Sequence, residues 1–249
     1  DYDLFVSHFR GETNTLYRAV EHGYRDETNA AGLGAVGRPQ TGFGTGFFDF
    51  DNDGDLDVVV VNGGVARGPM STIDPNDYWR AYSEPNFLFE NTEETGARAG
   101  AHFTDISALA PQLTAQIANS RGLAFGDFDN DGRVDLLVTN GGGRARLLRN
   151  TAAAGHWLLV KMLDPALRRD AYGATIAATV GSRTMRRLVA PGYSYQSSND
   201  PRVHFGLGES TVVDELAVTW PDGTVERYTN VAADQIVVLT KGIGMASNE

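Results

Sequence analysis

Apolar residues in this chain come in short runs or strict alternation, without the three- and four-residue spacing of an amphipathic helix. Val58-Val59-Val60-Val61 and Leu136-Leu137-Val138 are continuous apolar stretches, as expected of strands buried on both faces. Each is preceded by a Gly/Phe strand (Gly44 to Phe48; Gly122 to Phe125) and an acidic loop, and each is followed by two alternating segments. Asn14-Thr-Leu16-Tyr17-Arg18 aligns with Asn86-Phe-Leu88-Phe89-Glu90 and with Arg146-Leu147-Leu148-Arg149-Asn150, and Tyr24-Arg-Asp26-Glu-Thr28 aligns with Phe103-Thr-Asp105-Ile-Ser107. The opening Asp1-Tyr2-Asp3-Leu4-Phe5-Val6 aligns with Asp55 to Val60 and Arg133 to Val138. Four-stranded units repeating at such a period predict propeller blades, two complete and one partial. The longer second period places an insertion near Val65–Pro85.

Beyond Trp157 the pattern is one of short strands with turn punctuation. Candidates are Trp157 to Met162, Ala174 to Val180, Val203 to Phe205, Leu216 to Trp220 and Ile236 to Leu239. Pro221-Asp222-Gly223 is a turn in which Pro fixes φ and Gly accepts a positive one. The expected fold is therefore all-β: a partial β-propeller over residues 1–152, a small β-sandwich over 153–243, and a tail at 244–249. The sandwich is the simplest packing for about 90 residues of this kind. Gly206 and Gly208 suit backbone positions closed to larger side chains.

The acidic loops carry the chemistry. Asp49-Phe-Asp51-Asn-Asp53-Gly54-Asp55-Leu-Asp57 recurs as Asp127-Phe-Asp129-Asn-Asp131-Gly132-Arg133-Val-Asp135. Carboxylates at positions 1, 3, 5 and 9, with Gly at the sharp bend, suit a hard cation such as Ca²⁺. Position 7 is Asp55 or Arg133, as expected if only its backbone carbonyl ligates. An EF-hand would need Glu at position 12, where Val60 and Val138 stand. Asp3, with Asp1 upstream, fits the end of a third such loop. A solvated acidic turn explains one copy, but two matched copies of mutually repelling carboxylates favour metal.

Composition limits the alternatives. The net charge is −11 over 249 residues, and the acidity lies mainly with the loops. Neither half shows the basic stripe that nucleic acid or an anionic membrane surface would require. There is no cysteine, no apolar window near the ~18 residues of a membrane span, and no Asn-x-Ser/Thr sequon, which favours a bacterial source. The five histidines show no paired metal spacing, and no nucleophile elbow or phosphate loop is present.

Among the aromatics, Trp157 and Trp220 are expected to fill a core. Tyr193 and Tyr195, in a Gly/Ser-rich stretch, and Trp79 and Tyr82, in the insertion, are candidate ligand contacts. Arg168, Arg169, Arg183, Arg186 and Arg187 read as solvated hairpin faces, the alternative being a grip on an acidic ligand.

Phe125-Gly126 followed by the Asp129-Asn130-Asp131-Gly132 loop resembles the FG-GAP/VCBS repeat of integrin α-subunit propellers and bacterial surface proteins. The C-terminal part resembles the ASPIC and UnbV domain through His156-Trp157-Leu158, Arg169 to Ala174, His204-Phe205-Gly206-Leu207-Gly208 and Val218-Thr-Trp220-Pro221-Asp222-Gly223. That order of parts is the layout of the cartilage acidic protein-like family, including its bacterial members. The resemblance implies a longer parent protein or assembly with further chains to complete the propeller. It also implies a calcium-binding interaction module that is secreted, periplasmic or on the cell surface, with protein or glycan as partner. The alternatives are a calcium-dependent lyase, hydrolase or cyclase acting on a polysaccharide or secondary metabolite, and a structural subunit of a surface assembly.

Overall fold

The computed structural model describes residues 2–66, 78–92 and 101–246, and strands account for nearly all of its regular structure. Three antiparallel sheets follow one another along the first part of the chain. The first is β1 (Leu4–Val6), β2 (Thr15–Val20) and β3 (Gly23–Asp26). The second is β4 (Gly42–Phe48), β5 (Asp57–Asn62), β6 (Phe87–Asn91) and β7 (Phe103–Asp105). The third is β8 (Ser120–Gly126), β9 (Asp135–Asn140) and β10 (Arg146–Leu148).

These sheets are the blades of a partial propeller. The valine run of β5 shows why it is uninterrupted. Val58 and Val60 pack with Leu16, Leu33 and Phe89 between the first and second blades. Val59 and Val61 pack with Leu123, Phe125 and Val138 between the second and third. All four valines are fully buried, so neither parity of the strand carries a polar residue. In β9 only one parity is buried after Asp135, and Leu137 and Leu147 of the third blade are left exposed.

The remaining strands form two stacked sheets, the small sandwich expected. One has β11 (His156–Asp164) at its centre, with β12 (Arg169–Asp170), β15 (Val203–Gly208) and a parallel β18 (Gln235–Thr240). The other runs β14 (Arg183–Leu188), β13 (Thr175–Val180), β16 (Val212–Thr219), β17 (Val225–Ala232) and β19 (Met245–Ala246). Their shared core includes Leu158, Val160, Ile176, Phe205, Leu216 and Trp220. Strands β14 and β17 went unread in the sequence, because arginines and other polar residues occupy one or both of their parities. The last described residues, Met245–Ala246, pair with β17.

Most of the insertion near Val65–Pro85 lies outside the described residues. Its final part forms a 3-10 turn, Tyr78–Tyr82.

Candidate metal centre

Both acidic loops connect the first strand of a blade to the second, β4 to β5 and β8 to β9. Their backbones match: Asn52 and Asn130 at position 4 have φ of 62° and 59°, and Gly54 and Gly132 have φ of 93° and 86°. Asn tolerates the left-handed region and Gly occupies it without strain, so these residues make the double bend. The bend folds positions 1, 3 and 9 onto one point. Carboxylate oxygens of Asp49, Asp51 and Asp57 lie within 4.8 Å of one another, and so do those of Asp127, Asp129 and Asp135.

Each acidic residue is held in its own way. Asp49 Oδ2 accepts the Gly54 N–H at 2.9 Å, as Asp127 Oδ2 accepts that of Gly132 at 2.9 Å. Position 9 is a keystone. Asp57 accepts the N–H of Phe50 (2.9 Å) and of Asn91 (2.9 Å), while Asp135 accepts those of Phe128 (3.2 Å) and Asn150 (2.7 Å). Asp3 likewise accepts the N–H of Ala19 at 2.8 Å, the residue that strand pairing makes equivalent to Asn91 and Asn150, with the third blade shifted by one residue from the sequence alignment. The three blades thus share one carboxylate-to-backbone tie. Asp1 lies outside the described residues.

Positions 5 and 7 stand outside the triads. Asp53 accepts the Asp55 N–H at 2.7 Å, and the Asp55 carboxylate pairs with Arg183. Asp131 pairs with Arg133 and, at 2.8 Å, with Arg149, which also meets Asp129 at 2.6 Å. The second loop therefore has cationic side chains of its own around two carboxylates.

The first triad is electrostatically expensive. Burial, followed by the charge of Asp53, pushes Asp49 up to about 7. Burial also pushes Asp57 up to about 8, against the two N–H bonds it accepts, and raises Asp51 and Asp135. Asp131 goes the other way: burial opposes it, but hydrogen bonds from Arg149 and Arg133 hold its carboxyl low. Asp49 is only 1% exposed, and its Oδ1 has no hydrogen-bond partner. An orphaned buried carboxylate oxygen costs desolvation energy that a hard cation in the triad would offset. The residues present therefore fit such an ion.

The two loops meet each other and the sandwich. Asn52 Nδ2 donates to the Gly132 carbonyl (3.1 Å) and to that of Gly155 (3.2 Å). The N–H groups of Gly155 and Gly208 donate to the carbonyls of Asp51 (2.8 Å) and Asn52 (2.7 Å). Arg183 donates to the Asp53 carbonyl at 3.0 Å, and Arg202 to the Asp127 carbonyl at 2.5 Å and to Asn130 Oδ1 at 2.7 Å. His204 Nε2 lies 3.0 Å from the Gly132 carbonyl and so carries the proton. Burial pushes this imidazole down to about 4, which keeps it neutral near pH 7.

Two expectations are corrected here. Trp157 is half-buried and absent from the sandwich core; its indole lies where a Cβ on Gly132 would be, 2.1 Å from that point. Trp220 is in the core, 1% exposed. Arg187 is not a solvated hairpin charge, and Arg183, exposed as expected, is nevertheless committed to the first loop. Arg183 grips the first loop, and Arg187 lies over the Phe205 ring at 5.5 Å with its Nη2 sealed from solvent. Sequence reading also passed over Arg202, Asn52 and His204 as loop contacts. Asn52 and His204 were signalled only by their membership of the acidic loop and the glycine-spaced motif, and Arg202 by nothing in the sequence.

None of the aromatic candidates belongs to a triad, although Tyr193 shares a cavity with Asp49 and Asp127. Tyr193 is half-exposed and stacks on Phe125 (5.8 Å, 27°), while Tyr195 meets Phe43 edge-on at 5.0 Å. Tyr193 also lines a cavity of about 420 Å³ between the blades and the sandwich. Trp79 and Tyr82 group with Tyr78 on the 3-10 turn, at centroid distances of 5.2–6.2 Å. Asp200, which also lines that cavity, is committed to Arg202 at 2.7 Å.

The chain is similar in sequence to cartilage acidic protein 1 of several vertebrates. The chain is 28% identical over 187 residues to cartilage acidic protein 1 of Xenopus tropicalis, covering 71% of this chain and 25% of that protein. For cartilage acidic protein 1 of Mus musculus the figures are 27% over 263 residues, 89% and 40%. For the Homo sapiens protein they are 29% over 196 residues, 76% and 26%. The chain thus spans 40% or less of the length of these relatives. Within the described residues, no helix is long and apolar enough to cross a membrane. Residues 164–245, the part of the sandwich that follows β11, match the family described as ASPIC and UnbV, so an ASPIC and UnbV domain is supported over that segment.

Proposed function

We propose that the Asp49–Asp57 and Asp127–Asp135 loops each bind Ca²⁺, and that the chain is an interaction module whose blades the ion stabilises. The observation that carries this reading is the buried, unpartnered Asp49 Oδ1 at the convergence of three carboxylates, in a loop whose backbone recurs one blade later. Asp49, Asp51 and Asp57 would hold one ion, and Asp127, Asp129 and Asp135 the other. Bound there, the ion supplies positive charge and rigidity. The first site has the greater need of it, since Arg149 and Arg133 already meet the acids of the second.

Modules that work outside the cytosol bind Ca²⁺ at around 10⁻⁴–10⁻³ M, which suits a secreted, periplasmic or cell-surface setting. The partner would be a protein or a glycan. The Tyr78–Trp79–Tyr82 cluster and the Tyr193–Tyr195 segment are the exposed aromatic surfaces that support this. Leu137 and Leu147 on the open side of the third blade give further strands, from this protein or another chain, a face to pack on.

Thermal unfolding with calcium and with chelator tests the metal reading. A ligand at 100 times its dissociation constant adds about 2.7 kcal/mol, which for a chain of this size raises the midpoint by roughly 5–10 °C per site. Asp51→Ala and Asp129→Ala should each remove one step of that rise. A wild-type midpoint indifferent to calcium would sink the proposal.

Proton competition gives an independent check. With Asp49 raised to about 7 and Asp57 to about 8, the metal-free first site holds protons at pH 6 that calcium must displace. Calcium affinity measured by titration calorimetry should therefore fall from pH 8 to pH 6, with proton release detectable in buffers of different ionisation enthalpy. Equal affinity at both values would count against these two carboxylates as ligands.

A further inference from the structure

We infer that the two acidic loops are also the docking surface for the C-terminal sandwich, so that calcium occupancy and domain docking stabilise each other. This rests on the calcium reading above and adds to it a defined intramolecular partner.

Strand β15 shows how the surface is made. Its residues alternate, as strand residues must. Val203, Phe205 and Leu207 point into the sandwich core. His204, Gly206 and Gly208 face the loops. A Cβ on Gly206 would lie 2.1 Å from Asp49 Oδ2 and 2.5 Å from the Asn52 Cα. Only a glycine leaves room for the loop at that point. Gly208, at φ 57°, turns the chain so that its N–H reaches the Asn52 carbonyl at 2.7 Å. The second loop is received by His204 on the Gly132 carbonyl, by Arg202 on the Asp127 carbonyl, and by the Trp157 indole lying flush on Gly132.

The bonds from the sandwich fall mainly on loop backbone carbonyls, namely those of Asp51, Asn52, Asp53, Asp127 and Gly132. Fixing these carbonyls outward fixes the bend that aims the carboxylates inward. Docking therefore pre-pays the ordering of each loop, and an ordered loop binds its ion more tightly. The coupling is reciprocal, so the ion must strengthen docking by the same factor that docking strengthens the ion. Asn52, bridging Gly132 and Gly155, links the two sites and the segment that enters β11.

The test uses the full chain. Hydrogen exchange is followed in 5 mM calcium chloride and in chelator, alongside calorimetric calcium titration of wild type, Gly206→Ala, Trp157→Ala and Arg183→Gln. Calcium should slow exchange about tenfold or more in the peptides covering 203–208 and 150–156, as well as in the loops. Gly206→Ala and Arg183→Gln should weaken one calcium site tenfold or more, and Trp157→Ala the other, with far-UV circular dichroism unchanged. Arg183→Gln introduces no steric clash, so its titration decides the matter if Gly206→Ala does not fold. Protection confined to the loops, with wild-type affinity in the folded variants, would overturn the coupling while leaving the calcium sites standing. No calcium heat and no loop protection in wild type would overturn both.

Discussion

Phe205→Ala should destabilise the sandwich by about 3–5 kcal/mol, the range for truncating a fully buried aromatic ring. Phe205 is 0% exposed, lies opposite Leu158 on β11, and stands under the Arg187 guanidinium. Its loss leaves a cavity between two sheets whose core residues are already in contact, and it removes the face on which a sealed arginine rests. The net stability of a domain is about 5–15 kcal/mol, so this is a large fraction of it. Urea unfolding followed by tryptophan fluorescence reads the effect, since Trp220 shares the same core. Tyr172→Ala, at an exposed position outside that core, should cost under about 0.5 kcal/mol. A cost below about 1 kcal/mol for Phe205→Ala would mean that β15 is not packed as described. Because β15 carries the core on one face and meets the acidic loops on the other, the same variant should also weaken the proposed calcium binding.

Sequence and structure agree most closely where one residue answers to one local demand. The double acidic loop was legible because its Asp, Asn and Gly positions are set by a bend of nine residues, and the four valines of β5 were legible as a strand buried twice. What local pattern does not encode is which surface each face meets. Trp157 was read as core, although strand parity already separated it from Leu158, Val160 and Met162, which do fill the core. Trp157 and Leu159 share the opposite face, where Trp157 meets the second loop and Leu159 lines the cavity against the blades. The sheet around β11 is thus a middle layer, and this accounts for an apolar run with no alternation. The arginines were misread for a related reason. Arg183 looks like any hairpin charge until the fold brings Asp53 and Asp55 to it from 130 and 128 residues away. In the second loop, Arg133 at position 7 gave no hint that Arg149 would join it on Asp131.

The position-9 carboxylates should behave unlike their neighbours when calcium is withheld. In chelator, Asp57→Ala should lose about 1–3 kcal/mol, because Asp57 accepts the N–H of Phe50 and of Asn91 and alanine leaves both donors without that acceptor, a loss larger than the relief of deleting a carboxyl that burial pushes up to about 8. These two bonds tie the start of the loop to its end and to β6, so the damage extends across the blade. Asp51→Ala should be neutral or slightly stabilising under the same conditions. Burial and the charge of Asp53 raise Asp51 above its unfolded value, so its ionised form is disfavoured by folding near neutral pH, and deleting it relieves that cost. Once calcium is added the ranking should change character, since on the proposed reading both variants lose the first ion. Asp57→Asn separates the two roles further. It keeps one carbonyl acceptor for a backbone N–H but sets its amide group against the other, so it should recover part of the chelator-state loss and little of the calcium affinity. Asp135→Ala, whose carboxylate holds the N–H of Phe128 and Asn150, should repeat the pattern in the third blade. Melting curves in chelator decide the matter: equal midpoints for Asp57→Ala and Asp51→Ala would show that position 9 does not knit the blade together. A gap of several degrees would establish the Asp57 carboxylate as the clasp between strands, whatever its part in metal binding.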